Sequence, residues 1–211
     1  MNPRDRLNAA LARQLGRPSG LVGRLIVRRL NRGNRPMIAA AVEALELKPE
    51  SVAADLGFGG AVGLRELLDS PQVATAIGVE ISADMLKDAR KRFAAEIARG
   101  ELRLESGSLT ELPLEDASLD GAITVNTIYF IEDLGAALRE LARTLRPAGR
   151  AVLGLGDPDA MANMAFTAHG PRLRSIADLE ASIAEAGLVL VDHLRVGEGH
   201  VPSHLLVITA G

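Results

Sequence analysis

Between Asp55 and Gly63 the chain reads DLGFGGAVG, an acid followed by four glycines within nine positions. A turn leaving a strand uses glycine to reach positive φ angles and to let a ligand lie against bare backbone. Such turns serve several nucleotide ligands, so Gly57, Gly59, Gly60 and Gly63 do not choose among them. Asp55 does choose. A dinucleotide brings a pyrophosphate dianion to this point, where a carboxylate in reduced dielectric opposes it. A ligand carrying an α-ammonium and a sulfonium reverses the sign, its ammonium meeting Asp55 while the amides of the turn meet its carboxylate. The dinucleotide fingerprint also wants glycine where this chain has Val62.

A second acid follows in AIGVEIS, where Glu80 stands 25 residues after Asp55. An acid ending the second strand accepts from ribose hydroxyls, in adenosyl and dinucleotide sites alike. Together the two acids favour S-adenosylmethionine. Ser82 is a good helix N-cap with Asp84 in the first turn, and Met85, Ala89 and Phe93 share one helical face. Met85 is read either as core or as a floor under an adenine. Of five aromatic residues, Phe58, Tyr129 and Phe130 fall in the two loops expected to flank a sulfonium. Tyr129 is the candidate to face the methyl donor or orient an acceptor. His169, in FTAHGPRLRS after the fifth strand, is the candidate general base, with His200 in the terminal hairpin second. His193 and His204 sit on strands and read as structural.

These residues need a scaffold that holds them. Strands are predicted at 51–56, 73–80, 101–105, 119–126, 150–155, 188–195 and 204–209, mostly apolar runs of the kind buried on both faces of a parallel sheet. Helices fall between them. The stretch 133–146 stripes Leu134, Leu138, Leu141 and Leu145 before RPAG stops it, and a helix from Ser175 ends at Gly187. A short amphipathic helix within 17–36 and a second opened by Pro36 are expected ahead of the first strand. The fold class is therefore α/β, a doubly wound and mostly parallel sheet, closed by an antiparallel hairpin because VGEGHVPS is too short for a crossover.

At 211 residues the chain suits one domain, with 1–48 as a helical arm or cap and 49–211 as the core. The absence of cysteine removes disulfides and thiolate chemistry, the four histidines lack zinc spacing, and no metal is expected. No apolar run reaches the roughly 18 residues of a membrane span, and a cytoplasmic location is expected. Residues 1–36 hold nine arginines and one acid, so the arm carries +8 and the remainder −11 of the net −3. Half the weight of that asymmetry belongs to a solvated helical face, the rest to an anionic substrate or lipid surface. Nucleic acid is disfavoured, since the arm has no aromatic residue to stack on a base and the body repels phosphate.

In combination DLGFGGAVG, GVEISADML, SGSLTELPLEDASLDGAIT, VNTIYFIED and ALRELARTLRPAGRAVL resemble the class I S-adenosylmethionine-dependent methyltransferases, and among them the small bacterial enzymes of the ubiquinone/menaquinone (UbiE-like) type. The resemblance spans about residues 50–156 and implies a Rossmann-like, seven-stranded sheet with ligand at the carboxyl ends of its strands. It assigns Asp55, Gly57, Gly59 and Asn126 to the methionine end, Glu80 to the ribose, Ile81 and Met85 to the adenine faces, and Ser108 and Leu109 to the adenine edge, with Phe58 of the glycine turn counted among the cofactor-binding residues. Two positions depart from the pattern. Ala61 stands where a third glycine is common, and Ser108 replaces an aspartate, a weaker acceptor for the adenine amino group. The expected partner is a small-molecule or lipid-like methyl acceptor, with peripheral membrane contact through the arm and a homodimer left open. The competing reading is a noncatalytic adapter that keeps the fold and binds through its arginines.

Overall fold

The computed structural model describes residues 20–162, 164, 171–197 and 202–211, of which 21–32 are described by their backbone alone. Helix α1 (Gly20–Glu43) leads into strand β1 (Ser51–Leu56), helix α2 (Val62–Asp69) and strand β2 (Val73–Glu80). Helices α3 (Ala83–Arg92) and α4 (Ala94–Ala98) precede β3 (Leu102–Ser106) and β4 (Leu119–Val125). After a 3-10 turn at Ile128–Phe130 come α5 (Leu134–Thr144), β5 (Leu145–Gly156), α6 (Pro158–Ala162), α7 (Ile176–Glu185), β6 (Leu188–Val196) and β7 (Ser203–Ala210).

The seven strands form one sheet in the order β3-β2-β1-β4-β5-β7-β6. Only β7 runs against the rest, pairing antiparallel with both β5 and β6. Strand order reverses between β1 and β4, which leaves a crevice at the carboxyl ends of those two strands. Alternate residues of each strand feed opposite layers. Ala53 packs beneath α1, α2 and α3 with Met37, Leu64 and Phe93, whereas Ala54 packs with Leu138, Leu141 and Ile183 of α5 and α7. This two-sided burial is what the uninterrupted apolar strands foretold.

The caps match the sequence. Ser82 accepts from Met85 N at 3.4 Å, Asp133 from Ala136 N at 2.8 Å and Ser175 from Asp178 N at 3.1 Å, while Gly187 follows α7 with φ 78°. Two expectations are corrected. The two helices expected either side of Gly33–Pro36 are a single helix of 24 residues with Pro36 inside it. Proline removes one helical hydrogen bond. The burial of Met37, Ile38, Ala41 and Leu45 against the sheet outweighs that loss and carries the helix through. Strand β5 begins at Leu145, five residues before the expected start, because Leu145 already pairs with Leu119. Pairing then resumes as Gly121 with Arg150, so RPAG is looped out of the ladder, with Ala148 at φ 64°.

No helix among the described residues is long and apolar enough to cross a membrane. Residues 1–19, which hold part of the arginine-rich arm, lie outside the described residues.

Candidate functional site

A cavity of about 940 Å³ opens at the carboxyl ends of β1, β2 and β4, at the reversal in strand order. Its wall includes Gly57, Phe58, Gly59, Glu80, Ile81, Ser108, Leu109 and Asn126, all expected there from the sequence, together with Tyr129. Further parts of the wall come from α1 through Asn34, Met37 and Ile38, and from Phe130, Met161, Met164 and Pro171.

The glycine turn is shaped by close approach. Gly57 has φ 77°, and a β-carbon there would stand 2.7 Å from the Thr127 side chain, so the turn lies directly against the loop after β4. Gly59 has φ 45° and donates its amide to Glu80 Oε2 at 2.9 Å. Glu80 Oε1 accepts from Ser82 N at 2.9 Å, so one carboxylate ties the glycine turn to the start of α3. Glu80 is 6% exposed and lines the cavity. Ile81 is 43% exposed on the same rim. Ser108 is held by Thr110, whose hydroxyl lies 2.9 Å away and whose amide donates to it at 3.2 Å. Asn126 takes the left-handed φ of 57° that asparagine tolerates, and its amide is anchored on Gly154 O at 2.8 Å.

Asp55 and Met85 do not stand on the cavity wall. Asp55 is 5% exposed, and its carboxyl occupies the space that a β-carbon at Gly63 would fill. It accepts from the backbone of Leu64 at the start of α2; burial above all, and then the neighbouring Glu80 charge, pushes its pKa up to about 7. Where a direct pairing with a ligand ammonium was expected, the carboxyl is set behind the turn, off the cavity wall. Met85, 4% exposed, packs with Phe58, Leu86 and Phe93, so of the two readings the core one holds. Ala61 is likewise buried, in the left-handed conformation at φ 60° that caps α2, and its β-carbon enters the core without narrowing the cavity.

Tyr129 stands on the cavity wall, with its hydroxyl engaged by backbone. Its hydroxyl accepts from Gly156 N at 2.6 Å and donates to Gly156 O at 3.3 Å. Burial drives its pKa above the usual phenol value. A phenol so engaged ties the 3-10 turn to the end of β5. Tyr129→Phe, which leaves the buried Gly156 amide unpaired, is expected to cost about 1–3 kcal/mol in denaturant unfolding.

His169 and His200 lie outside the described residues. The strand histidines, read as structural, form a chain: His193 Nε2 lies 2.8 Å from His204 Nδ1, and His204 Nε2 lies 3.0 Å from Asp157 Oδ2. Asp157 also accepts from Ala160 N at 2.8 Å, so it fixes α6 beside the cavity. Sequence reasoning missed Asp157, and it missed the cavity residues Asn34, Met37, Met161 and Met164. No motif marks them; only the pairing of Gly156 with Ser203 brings Asp157 to His204.

The sheet has the strand order and polarity of the class I methyltransferase fold, and residues 54–153 match the family model of the methyltransferase domain. It is 29% identical over 163 residues to an O-methyltransferase of Pyrenophora dematioidea, covering 74% of this chain and 61% of that protein. It is 33% identical over 114 residues to the demethylmenaquinone methyltransferase of Mycolicibacterium gilvum, covering 54% of this chain and 46% of that one. In fold it is similar to the geranyl diphosphate C-methyltransferase of Streptomyces coelicolor, with a TM-score of 0.73 at 13% identity and cover of 100% and 99% of the two chains. The chain spans between 39% and 61% of the length of the curated relatives it matches.

Proposed function

We propose that the chain is a methyltransferase moving the methyl group of S-adenosylmethionine to a small or lipid-like apolar acceptor, an oxygen acceptor first and a quinol-type carbon second. The observation that carries this reading is one cavity whose wall joins two unlike sets of residues. The glycine turn, Glu80, Ile81 and Ser108 offer a nucleoside backbone amides, a carboxylate, an apolar face and a hydroxyl. Met37, Ile38, Phe130, Met161 and Met164 offer apolar surface in which thioethers adapt to the acceptor's outline. A volume of about 940 Å³ stands near the top of the range of about 300–1,000 Å³ for small-molecule pockets, which suits two ligands side by side.

Methyl transfer is an in-line displacement: the acceptor's lone pair forms a bond to the methyl carbon as the carbon–sulfur pair returns to sulfur. Alignment and exclusion of water are the protein's main contributions. The charged residues on the wall are Glu80, Glu132 and Asp133, with no arginine or lysine on it among the described residues. That balance welcomes a sulfonium and an uncharged acceptor, and works against a carboxylate or diphosphate head. We assign residues 1–48 to an arm and cap and 49–211 to the catalytic core, because Asn34, Met37 and Ile38 of α1 close the cavity that the core opens.

The test is calorimetry with S-adenosylhomocysteine, expected to give micromolar affinity, followed by transfer of labelled methyl groups to phenols and quinols of graded size. Absence of binding sinks the enzyme reading and leaves the adapter reading in place. Binding without transfer to any hydroxylated acceptor sinks the acceptor class alone.

A further inference from the structure

The segment Pro171–Arg174 lies against the loop that follows β4, and the contact is made almost wholly of donors meeting backbone carbonyls. Arg172 N donates to Tyr129 O at 2.8 Å. The Arg174 guanidinium donates through one nitrogen to Ile128 O at 2.9 Å and through another to Ile131 O at 2.8 Å. No carboxylate pairs with Arg174 among the described residues. Burial, and then the neighbouring Arg172 charge, pull its pKa below the usual arginine value.

Setting a partly buried cation on two neutral carbonyls costs solvation that a surface carboxylate would spare. The carbonyls involved are those a short 3-10 turn leaves poorly satisfied: the turn's own closing bond, Ile131 N to Ile128 O, is 3.4 Å long. A guanidinium fork is rigid enough to fix the spacing of two acceptors at once. The clamped loop begins at Asn126 on the cavity wall and Thr127, whose side chain lies against Gly57, and continues through Tyr129 and Phe130 on the same wall. Pro171, on the other side of the clamp, lines the same cavity.

We propose that Arg174 is a positioning residue: it locks the loop after β4 to the segment entering α7, so that both walls of the cofactor and acceptor cavity hold one geometry. The role rests on the methyltransferase reading, and its consequence reaches the cofactor through Asn126 and Thr127 and the acceptor through Phe130.

The chain supplies its own probe. It has one tyrosine and no tryptophan, so intrinsic emission reports Tyr129 alone, in the middle of the clamped loop. Full-length chain is compared with Arg174→Met, Arg174→Lys and Arg172→Gln, reading S-adenosylhomocysteine affinity by calorimetry and acrylamide quenching of the tyrosine emission. Arg174→Met is expected to weaken affinity about tenfold and to raise quenching about twofold at temperatures where the variant stays folded. Arg174→Lys, with one ammonium for two carbonyls, is expected to lose about threefold. Arg172→Gln removes only an exposed ion pair to Glu132 and is expected to stay within about twofold. If Arg174→Met lowers the melting temperature but leaves affinity and quenching as in the unaltered chain, Arg174 is structural and the proposal is overturned. Should Arg174→Met not fold, the lysine variant decides by the same two readings. If the unaltered chain does not bind S-adenosylhomocysteine, the functional reading fails, while quenching still decides whether Arg174 holds the loop.

Discussion

Glu80→Ala is expected to weaken S-adenosylhomocysteine binding by about 100-fold at pH 8, measured by calorimetry on folded protein. A carboxylate accepting from two ribose hydroxyls makes two charge-assisted hydrogen bonds, each worth roughly 1.5–3 kcal/mol, and every 1.4 kcal/mol is about tenfold in affinity. Glu80 also holds Gly59 N and Ser82 N at 2.9 Å each, so its removal frees the glycine turn as well as the ribose. The variant should therefore lose stability with affinity. Glu80→Gln separates the two effects only in part, because its amide nitrogen would face a backbone donor in place of an acceptor. An affinity within threefold of the unaltered chain for both variants would remove Glu80 from the ligand site and leave it as a tie between β2, the turn and α3.

The parts of this molecule that follow from period and punctuation were legible in the chain. Six of the expected strands formed within a residue or two of their expected ends, and Ser82, Ser175 and Gly187 fixed helix ends by local chemistry. What escaped was decided by tertiary burial. Pro36 reads locally as a stop, yet Met37, Ile38 and Ala41 draw the helix onto the sheet. Leu145 reads locally as the end of a helix, yet its pairing with Leu119 makes it the start of a strand.

The site divides in the same way. Glycine positions and Glu80 are readable because a tight turn and a strand-end acid have sequence signatures. The apolar wall is not, since Met37, Met161 and Met164 are ordinary core residues until the fold sets them around one space. Asp55 shows a subtler limit: sequence gives its charge and its strand, but not that the missing side chain of Gly63 lets its carboxyl turn toward the start of α2. Orientation of a side chain at a strand end depends on which neighbour leaves room.

That buried orientation makes Asp55→Asn the sharpest test of what the acid is for. With a folded pKa raised to about 7 against the 3.8 of an ordinary aspartate, Asp55 binds its proton more tightly in the folded chain than in the unfolded one. Its contribution to stability is then fully present below pH 3.8 and is lost as pH rises through about 7. At 1.36 kcal/mol for each pKa unit, the loss is on the order of 4 kcal/mol at most. Asparagine still accepts from Leu64 N and has no charge to desolvate. The variant should therefore unfold at higher denaturant than the unaltered chain at pH 8 and show little difference at pH 4. Ligand affinity should move the other way. An ammonium placed near a carboxyl lowers its pKa, so S-adenosylhomocysteine, which carries one at its amino-acid end, is expected to bind the unaltered chain more tightly as pH rises from 5 to 8, with release of a proton. Asp55→Asn should flatten that dependence and bind about tenfold more weakly at pH 8. A protein made more stable by losing an acid, and a poorer binder for the same reason, would establish that the chain holds a costly buried charge for the sake of its ligand. Equal affinity of the two forms at pH 8 would reduce Asp55 to a cap on α2.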